Sequence, residues 1–191
     1  MSPPGESELL DRLRSGDRAA FRELYARFSQ PTFRFLARLT GRRDAAEDLH
    51  QETWLQVARN HDRLRPDSDL PAWLFTIARN AFLSSRRRSD RLTLVPECAS
   101  LASATGVISW DSDPTCRDLE RALADLPETH REILLLVAIE GLEIRQAATV
   151  LDLSADAARQ RLSRARAALA VALYDAPGAE APRSNVKGRC R

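Results

Sequence analysis

The segment Ile144-Arg145-Gln146-Ala147-Ala148-Thr149-Val150-Leu151-Asp152-Leu153-Ser154-Ala155-Asp156-Ala157-Ala158-Arg159-Gln160-Arg161-Leu162-Ser163-Arg164-Ala165 encodes a short helix, a tight turn and the start of a longer helix. Ile144, Ala147, Ala148 and Leu151 make one apolar face for the short helix. The run breaks at Asp152-Leu153-Ser154. Ser154 suits the N-cap of the longer helix, and Asp156 lies in its first turn, where the helix dipole favours a carboxylate. Ala158, Leu162, Ala165 and Leu169 then recur at four, three and four, a single stripe for a core. At 100° per residue the opposite side presents Asp156, Gln160, Ser163 and Arg164, flanked by Arg159, Arg161 and Arg166. A short helix, a turn and a second helix with a basic outer face is the layout that lays a recognition helix in the DNA major groove. Arg and Gln also have the bidentate geometry that reads base edges. The plainer alternative is a three-helix bundle whose charged face is only solvated. Turn, cap and arginine face occurring together favour DNA binding.

Upstream of this segment, Pro127 begins a helix, and Ile133, Leu134, Val137 and Ala138 carry it to Gly141, a natural residue just past a helix end. The helical pattern covers 115–174. A second helical run, 7–88, repeats apolar residues at three and four through Leu10, Leu13, Phe21, Leu24, Phe28, Phe33, Leu36 and Leu39. Between them, 89–114 dissolves into Ser, Ala, Thr, Pro and Gly and reads as a flexible linker, while 175–191 reads as a disordered tail. No strand alternation is present. The expected fold is all-α, in two small helical domains.

Composition removes most enzymatic classes. The 191 residues carry 29 Lys+Arg against 27 Asp+Glu, a net charge of +2. Cys98, Cys116 and Cys190 are odd in number and widely spaced, so neither a disulfide scaffold nor a common zinc site is expected. There is no glycine-rich phosphate cradle, no nucleophile elbow and no His-Glu-x-x-His, so no cofactor, no metal and no catalytic residue is assigned. The longest uncharged stretch, Cys98 to Trp110, is far shorter than the roughly 20 apolar residues a membrane span needs. The opening residues show no secretory pattern, and a cytoplasmic location is expected.

At Leu126-Pro127-Glu128-Thr129-His130-Arg131-Glu132-Ile133-Leu134, Glu140-Gly141-Leu142 and Arg161-Leu162-Ser163-Arg164-Ala165-Arg166, the chain resembles region 4 of extracytoplasmic-function sigma factors. The resemblance implies that Asp156, Arg159, Gln160, Arg161, Ser163 and Arg164 contact the promoter −35 element. Two positions depart from the family pattern: Glu143, where a Ser or Thr cap is usual, and Asp152, where the turn usually has glycine. Asp tolerates the left-handed conformation better than most residues.

In the first domain, Asp44-Ala45-Ala46-Glu47-Asp48-Leu49-His50-Gln51-Glu52-Thr53-Trp54-Leu55 puts Asp48, Gln51, Glu52 and Leu55 on one helix face, with Ala46, Leu49, Thr53 and Val57 roughly opposite. An exposed leucine among carboxylates suits a protein contact, although an acidic helix by itself is more often just solvated. The run is similar to sigma region 2.2, which implies binding to the clamp helices of the polymerase β′ subunit. The wider resemblance adds the β flap, promoter DNA and an anti-sigma factor as partners, with no membrane insertion.

Leu70 to Leu83 is apolar around most of its circumference and runs into Ser84-Ser85-Arg86-Arg87-Arg88. Trp73, Ile77, Asn80 and Ser84 share a face, which suits single-stranded DNA. A buried core helix with a basic C-terminal end fits the composition equally well. The pattern Trp-Leu-x-x-Ile-Ala-Arg-Asn is similar to sigma regions 2.3 and 2.4. It implies that the loop His61 to Leu70 and Arg65, Trp73, Arg79, Asn80, Arg86, Arg87 and Arg88 meet the unwound −10 strand.

The resemblance spans about Asp17 to Arg88 and Arg117 to Leu173 and implies an RNA polymerase sigma factor directing promoter-specific initiation. The competing reading is a free-standing helix-turn-helix regulator with an N-terminal sensing or dimerisation domain. Charge separates the two. Duplex affinity comes largely from neutralising phosphates, so a protein binding DNA unaided usually carries a basic excess well above +2. The free chain is therefore expected to bind promoter DNA weakly at physiological salt and to gain specificity when core polymerase is added. An electrophoretic mobility shift with and without core checks this; tight, specific binding by the chain alone favours the free-standing regulator.

Overall fold

The computed structural model describes residues 6–93 and 114–174, and among these there is no strand. The expected tail, and most of the expected linker, lie outside the described residues. The order is α1 (Glu6–Arg14), α2 (Arg18–Thr40), α3 (Arg43–Asn60), a 3₁₀ turn (His61–Arg63) and α4 (Leu70–Thr93), then α5 (Pro114–Asp125), α6 (Glu128–Leu134), α7 (Ile144–Leu151) and α8 (Ala155–Tyr174). No described helix is long and apolar enough to cross a membrane.

Local chemistry explains the boundaries. Asp17 caps α2, its carboxylate accepting from the Ala19 N–H at 2.7 Å. Gly41, at φ 66°, ends that helix by donating to the Ala37 carbonyl. Helix α4 runs past the expected boundary at Arg88 as far as Thr93. Pro127, expected as the first helical residue, instead sits at the N-cap of α6 with ψ 139°. Helix α6 widens into a π turn over Leu135–Ile139 before stopping at Glu140.

The N-terminal helices hold one apolar cluster of their own: Leu9, Leu10 and Leu13 of α1 pack with Leu24, Phe28, Trp54, Val57, Leu70 and Leu74. The second cluster ignores the boundary between the two helical units. Phe35, Leu36 and Leu39 of α2 and Phe75 and Phe82 of α4 join Ile133, Leu134, Leu135 and Leu136, then Ala147, Leu151, Ala158 and Leu162. Each unit has fewer than 90 described residues and buries a limited fraction of its surface alone. Sharing a core across the seam removes apolar area that two separate units would leave wet.

Polar groups stitch the same seam. Arg79 of α4 grips Glu132 of α6 with both arms, Nε to Oε1 at 2.7 Å and Nη2 to Oε2 at 3.3 Å. Arg34 of α2 reaches Glu140 at 3.3 Å, Arg38 approaches Glu120 at 4.0 Å, and Arg86 pairs with Glu128. Gln146 of α7 donates to Asp69 at 2.8 Å.

The two departures in the helix-turn-helix both have a local solution. Asp152 adopts φ 55°, ψ 52°, the only non-glycine residue with positive φ among those described. In place of a Ser or Thr cap, Glu143 and Gln146 form a capping box, in which the Gln146 side chain accepts from the Glu143 N–H at 2.7 Å. Ser154 accepts from the Ala157 N–H at 3.1 Å, as expected of the cap of α8. Asp152→Gly is expected to be neutral or stabilising, whereas Asp152→Val should cost about 1–2 kcal/mol because a branched Cβ clashes in the left-handed region. Urea denaturation of the two variants checks this.

Candidate polymerase and nucleic-acid interfaces

Helix α3 separates its two faces as the periodicity requires. Ala46, Leu49, Thr53 and Val57 are buried, and Asp48, Gln51 and Leu55 are exposed, Leu55 at 45%. Glu52 differs from its neighbours. It is half-buried, accepts from Gln56 Nε2 at 2.7 Å, and lines a groove on the flank of α3. Tyr25, from α2, is 44% exposed and lies 4.7 Å, centroid to centroid, from the Trp54 ring. It adds an aromatic surface beside the α3 face. Sequence periodicity missed Tyr25 because the residue comes from a different helix.

Underneath sits His50. Its Nε2 lies 2.9 Å from the Trp54 indole nitrogen and 3.3 Å from the Ser29 hydroxyl, and its ring meets Phe33 edge-on at 5.6 Å. Nε2 thus lies between the Trp54 indole N–H, which can only donate, and the Ser29 carbonyl 3.0 Å away, which can only accept, so the ring tautomer decides which of the two it bonds. Burial holds the His50 pKa below its ordinary value.

The groove is about 400 Å³ and is walled by Glu52, Gln56 and Asn60 of α3, Arg63 of the 3₁₀ turn, and Trp73, Ile77, Asn80, Ser84 and Arg88 of α4. Asn60 donates to the Gln56 carbonyl at 2.7 Å, so the amides on this wall are ordered. Trp73 and Ile77 supply apolar surface, Asn80 and Gln56 supply amides, and Arg63 and Arg88 supply charge. That mixture can stack on bases and track phosphates. Arg65 is exposed in the adjoining loop, its N–H donating to Ser68 at 2.9 Å.

The expected −10 residues do not all meet there. Trp73, Asn80 and Arg88 line the groove, and Arg87 bends back to Ser84 at 3.0 Å. Arg79 and Arg86 lie on the opposite side of α4, turned toward the C-terminal unit and paired with Glu132 and Glu128. The reason is angular: Phe75, Arg79, Phe82 and Arg86 recur at four, three and four, roughly half a turn from Trp73, Ile77, Asn80 and Ser84. In the free chain Arg79 and Arg86 therefore lie at the seam and not in the groove. Gln56, Asn60 and Arg63 join the groove, and only tertiary packing reveals them.

On α8 the stripe Ala158, Leu162 and Ala165 is buried, and Asp156, Arg159, Gln160, Ser163 and Arg164 are exposed. Arg161 is half-buried at the edge of this face. Asp156 pairs with Arg159 across one turn, an exposed contact of small energetic weight. Among the described residues no group of His, Cys, Asp and Glu could hold a metal ion.

Residues 24–92 match the family model of Sigma-70 region 2, and residues 116–169 match that of Sigma-70 region 4. The chain is 34% identical over 140 residues to the ECF RNA polymerase sigma factor EcfG of Rhodopseudomonas palustris, covering 73% of this chain and 77% of that protein. It is also 34% identical over 156 residues to the RNA polymerase sigma factor CarQ of Myxococcus xanthus, covering 81% and 90%. Among solved structures it is similar to the sigma factor RpoE of Bartonella quintana in complex with the anti-sigma factor NepR, at TM-score 0.71 and 28% identity over 82% of this chain and 98% of that one. CnrH in complex with the cytosolic domain of CnrY is similar at TM-score 0.69 and 26% identity, over 90% and 98%.

The His50 cluster has a pH signature. Because its native pKa is depressed, the unfolded chain binds the proton more readily. Stability is therefore complete above the ordinary value of 6.5 and falls as pH drops through 6.5 toward the depressed native value. Thermal midpoints measured from pH 8 to pH 5 should decline below 6.5, and His50→Gln should flatten that part of the curve.

Proposed function

The chain belongs to the extracytoplasmic-function group of the sigma-70 family, and on the arrangement of its faces we propose a role for each surface in promoter recognition. It is an RNA polymerase sigma factor: it associates with core polymerase and directs initiation at promoters, while the polymerase carries out nucleotide addition. Its place of work is the cytoplasm, with the polymerase.

The α3 face of Asp48, Gln51 and Leu55, extended by Tyr25, docks on the clamp helices of β′. What supports this is an exposed leucine and tyrosine bordered by carboxylates, a mixture that suits a basic, partly apolar partner. The groove of Trp73, Ile77, Asn80, Gln56, Asn60, Arg63 and Arg88 receives the unwound −10 strand. A base turned out of the stack would be read there by amides and packed against the indole. The exposed face of α8, with Arg159, Gln160, Ser163 and Arg164, reads the −35 element in the major groove. The observation that carries the reading is the co-occurrence of an amide-and-aromatic groove and an arginine-faced helix-turn-helix in one chain. A free-standing regulator has no use for the first of these.

Run-off transcription with purified core polymerase tests the function, since a promoter-directed transcript requires all three surfaces. Asp48→Lys with Leu55→Lys should lower core affinity at least tenfold, about 1.4 kcal/mol, with helical content unchanged. Arg164→Ala with Gln160→Ala should leave core binding intact and weaken the −35 interaction. A lost base contact costs about 1–3 kcal/mol and relaxes specificity at one position, whereas a lost phosphate contact weakens all sequences and flattens the salt slope. Unchanged binding and salt dependence would mean that α8 faces the wrong way.

A further inference from the structure

Glu52 is out of place in a groove that receives a polyanion. It stands half-buried on the α3 wall, lining the same space as Arg63 and Arg88. A carboxylate repels phosphates, so its presence there weakens DNA binding unless it serves the site in another way.

Its hydrogen bonds show what it does. Glu52, Gln56 and Asn60 recur at intervals of four along α3 and form a chain on one face of the helix. Gln56 Nε2 donates to Glu52 Oε1 at 2.7 Å, and Asn60 Nδ2 donates to the Gln56 main-chain carbonyl at 2.7 Å and to Gln56 Oε1 at 3.2 Å. A carboxylate and a carbonyl can only accept, so each fixes which end of the neighbouring amide it meets. Turning Gln56 over would set its Oε1 against Glu52 and its Nε2 against the Asn60 Nδ2. With Glu52 at its head, the chain has one self-consistent polarity. Both N–H groups of Asn60 are committed to Gln56, and the atom Asn60 has left to offer is Oδ1, an acceptor.

Stacking and charge cannot tell bases apart in this groove. Trp73 and Ile77 give any base an apolar surface, and Arg63 and Arg88 suit any phosphate. Discrimination falls to the amides. Asn80, on the α4 wall, is exposed and has no hydrogen-bond partner among the described residues, so its amide can present either end. The wall of fixed polarity is α3. At the exocyclic position, adenine and cytosine carry an amine, N6 or N4, whereas guanine and thymine carry a carbonyl, O6 or O4. An amine donates to Asn60 Oδ1. A carbonyl oxygen opposes it, acceptor against acceptor.

We propose that Glu52 is a positioning residue for base recognition: by anchoring the amides of Gln56 and Asn60 it holds an acceptor toward the opened strand, and the groove selects adenine or cytosine over guanine or thymine at one position. This rests on the reading of the groove as the site of the −10 strand. Glu52 acts on the base through Gln56 and Asn60, and the repulsion it adds is offset by the order it gives them.

The test uses the full chain assembled with core polymerase and offered duplex fragments that contain a pre-opened bubble with a randomised non-template strand. Bound fragments are sequenced, and core polymerase alone gives the background. The wild-type chain should enrich adenine and cytosine over guanine and thymine by about tenfold at one bubble position, the worth of a matched against an opposed hydrogen bond. Asn60→Leu removes the acceptor and should erase that preference. Glu52→Gln keeps the size of the side chain, but its amide donates as well as accepts, so Gln56 can turn over and crowd the Asn60 amide, and the preference should fall to about threefold. The ratio is read only from complexes that form. A role of Glu52 confined to folding or to polymerase affinity would lower the yield of complex and leave the ratio as it is. An unchanged ratio in either variant overturns the positioning role, and enrichment of guanine or thymine at the position that Asn60→Leu affects overturns the polarity. Both results leave the groove as the −10 site. If the wild-type chain enriches no base above core alone, the reading of the groove itself fails, and the inference with it.

Discussion

Glu132 is buried where the two helical units meet, 1% exposed, with its carboxylate held by both arms of Arg79. The rest of the architecture is arranged around that fork. A buried carboxylate is tolerable only with an opposite charge and good hydrogen bonds, and removing one partner of such a pair typically costs about 3–5 kcal/mol. Arg79 lies on α4 and Glu132 on α6, so this requirement ties the two helical units together. The aromatic residues Phe75 and Phe82 flank Arg79 on the same face of α4 and complete the apolar part of the seam. The exposed faces of the molecule are those left over once this contact is made.

Helix α4 is therefore committed on both sides. One side carries the seam, and the other, with Trp73, Ile77, Asn80, Ser84 and Arg88, forms a groove with α3. This explains why the helix is apolar around most of its circumference and also carries polar residues at two distinct angles. The two surfaces differ in kind: the groove is an open mixture of aromatic, amide and charge, and the seam is a packed apolar contact bordered by ion pairs.

The helix-turn-helix shows how a departure from a family pattern is absorbed. Asp152 occupies a left-handed position usually given to glycine, at a cost that its short polar side chain moderates. Gln146 completes the capping box with Glu143 and also donates to Asp69 across the seam. Capping of α7 and docking of the units are consequently coupled through one side chain.

The sequence by itself determined the helical class, the split faces of α3 and α8, the Ser154 cap and the basic outer face of α8. All of these are set by spacing along a single helix, and a period of 3.6 residues is legible in one dimension. Tertiary structure decided what depends on two helices meeting. It placed Arg79 and Arg86 in the seam, brought Gln56, Asn60 and Arg63 to the groove, set Tyr25 beside the α3 face, and joined two expected domains through one core. Arg79 illustrates the limit. Its position in Ile77-Ala78-Arg79-Asn80 is compatible with a phosphate or a carboxylate, since a guanidinium fork fits both. Only the arrival of Glu132 from 53 residues away determines which one it holds in the free chain.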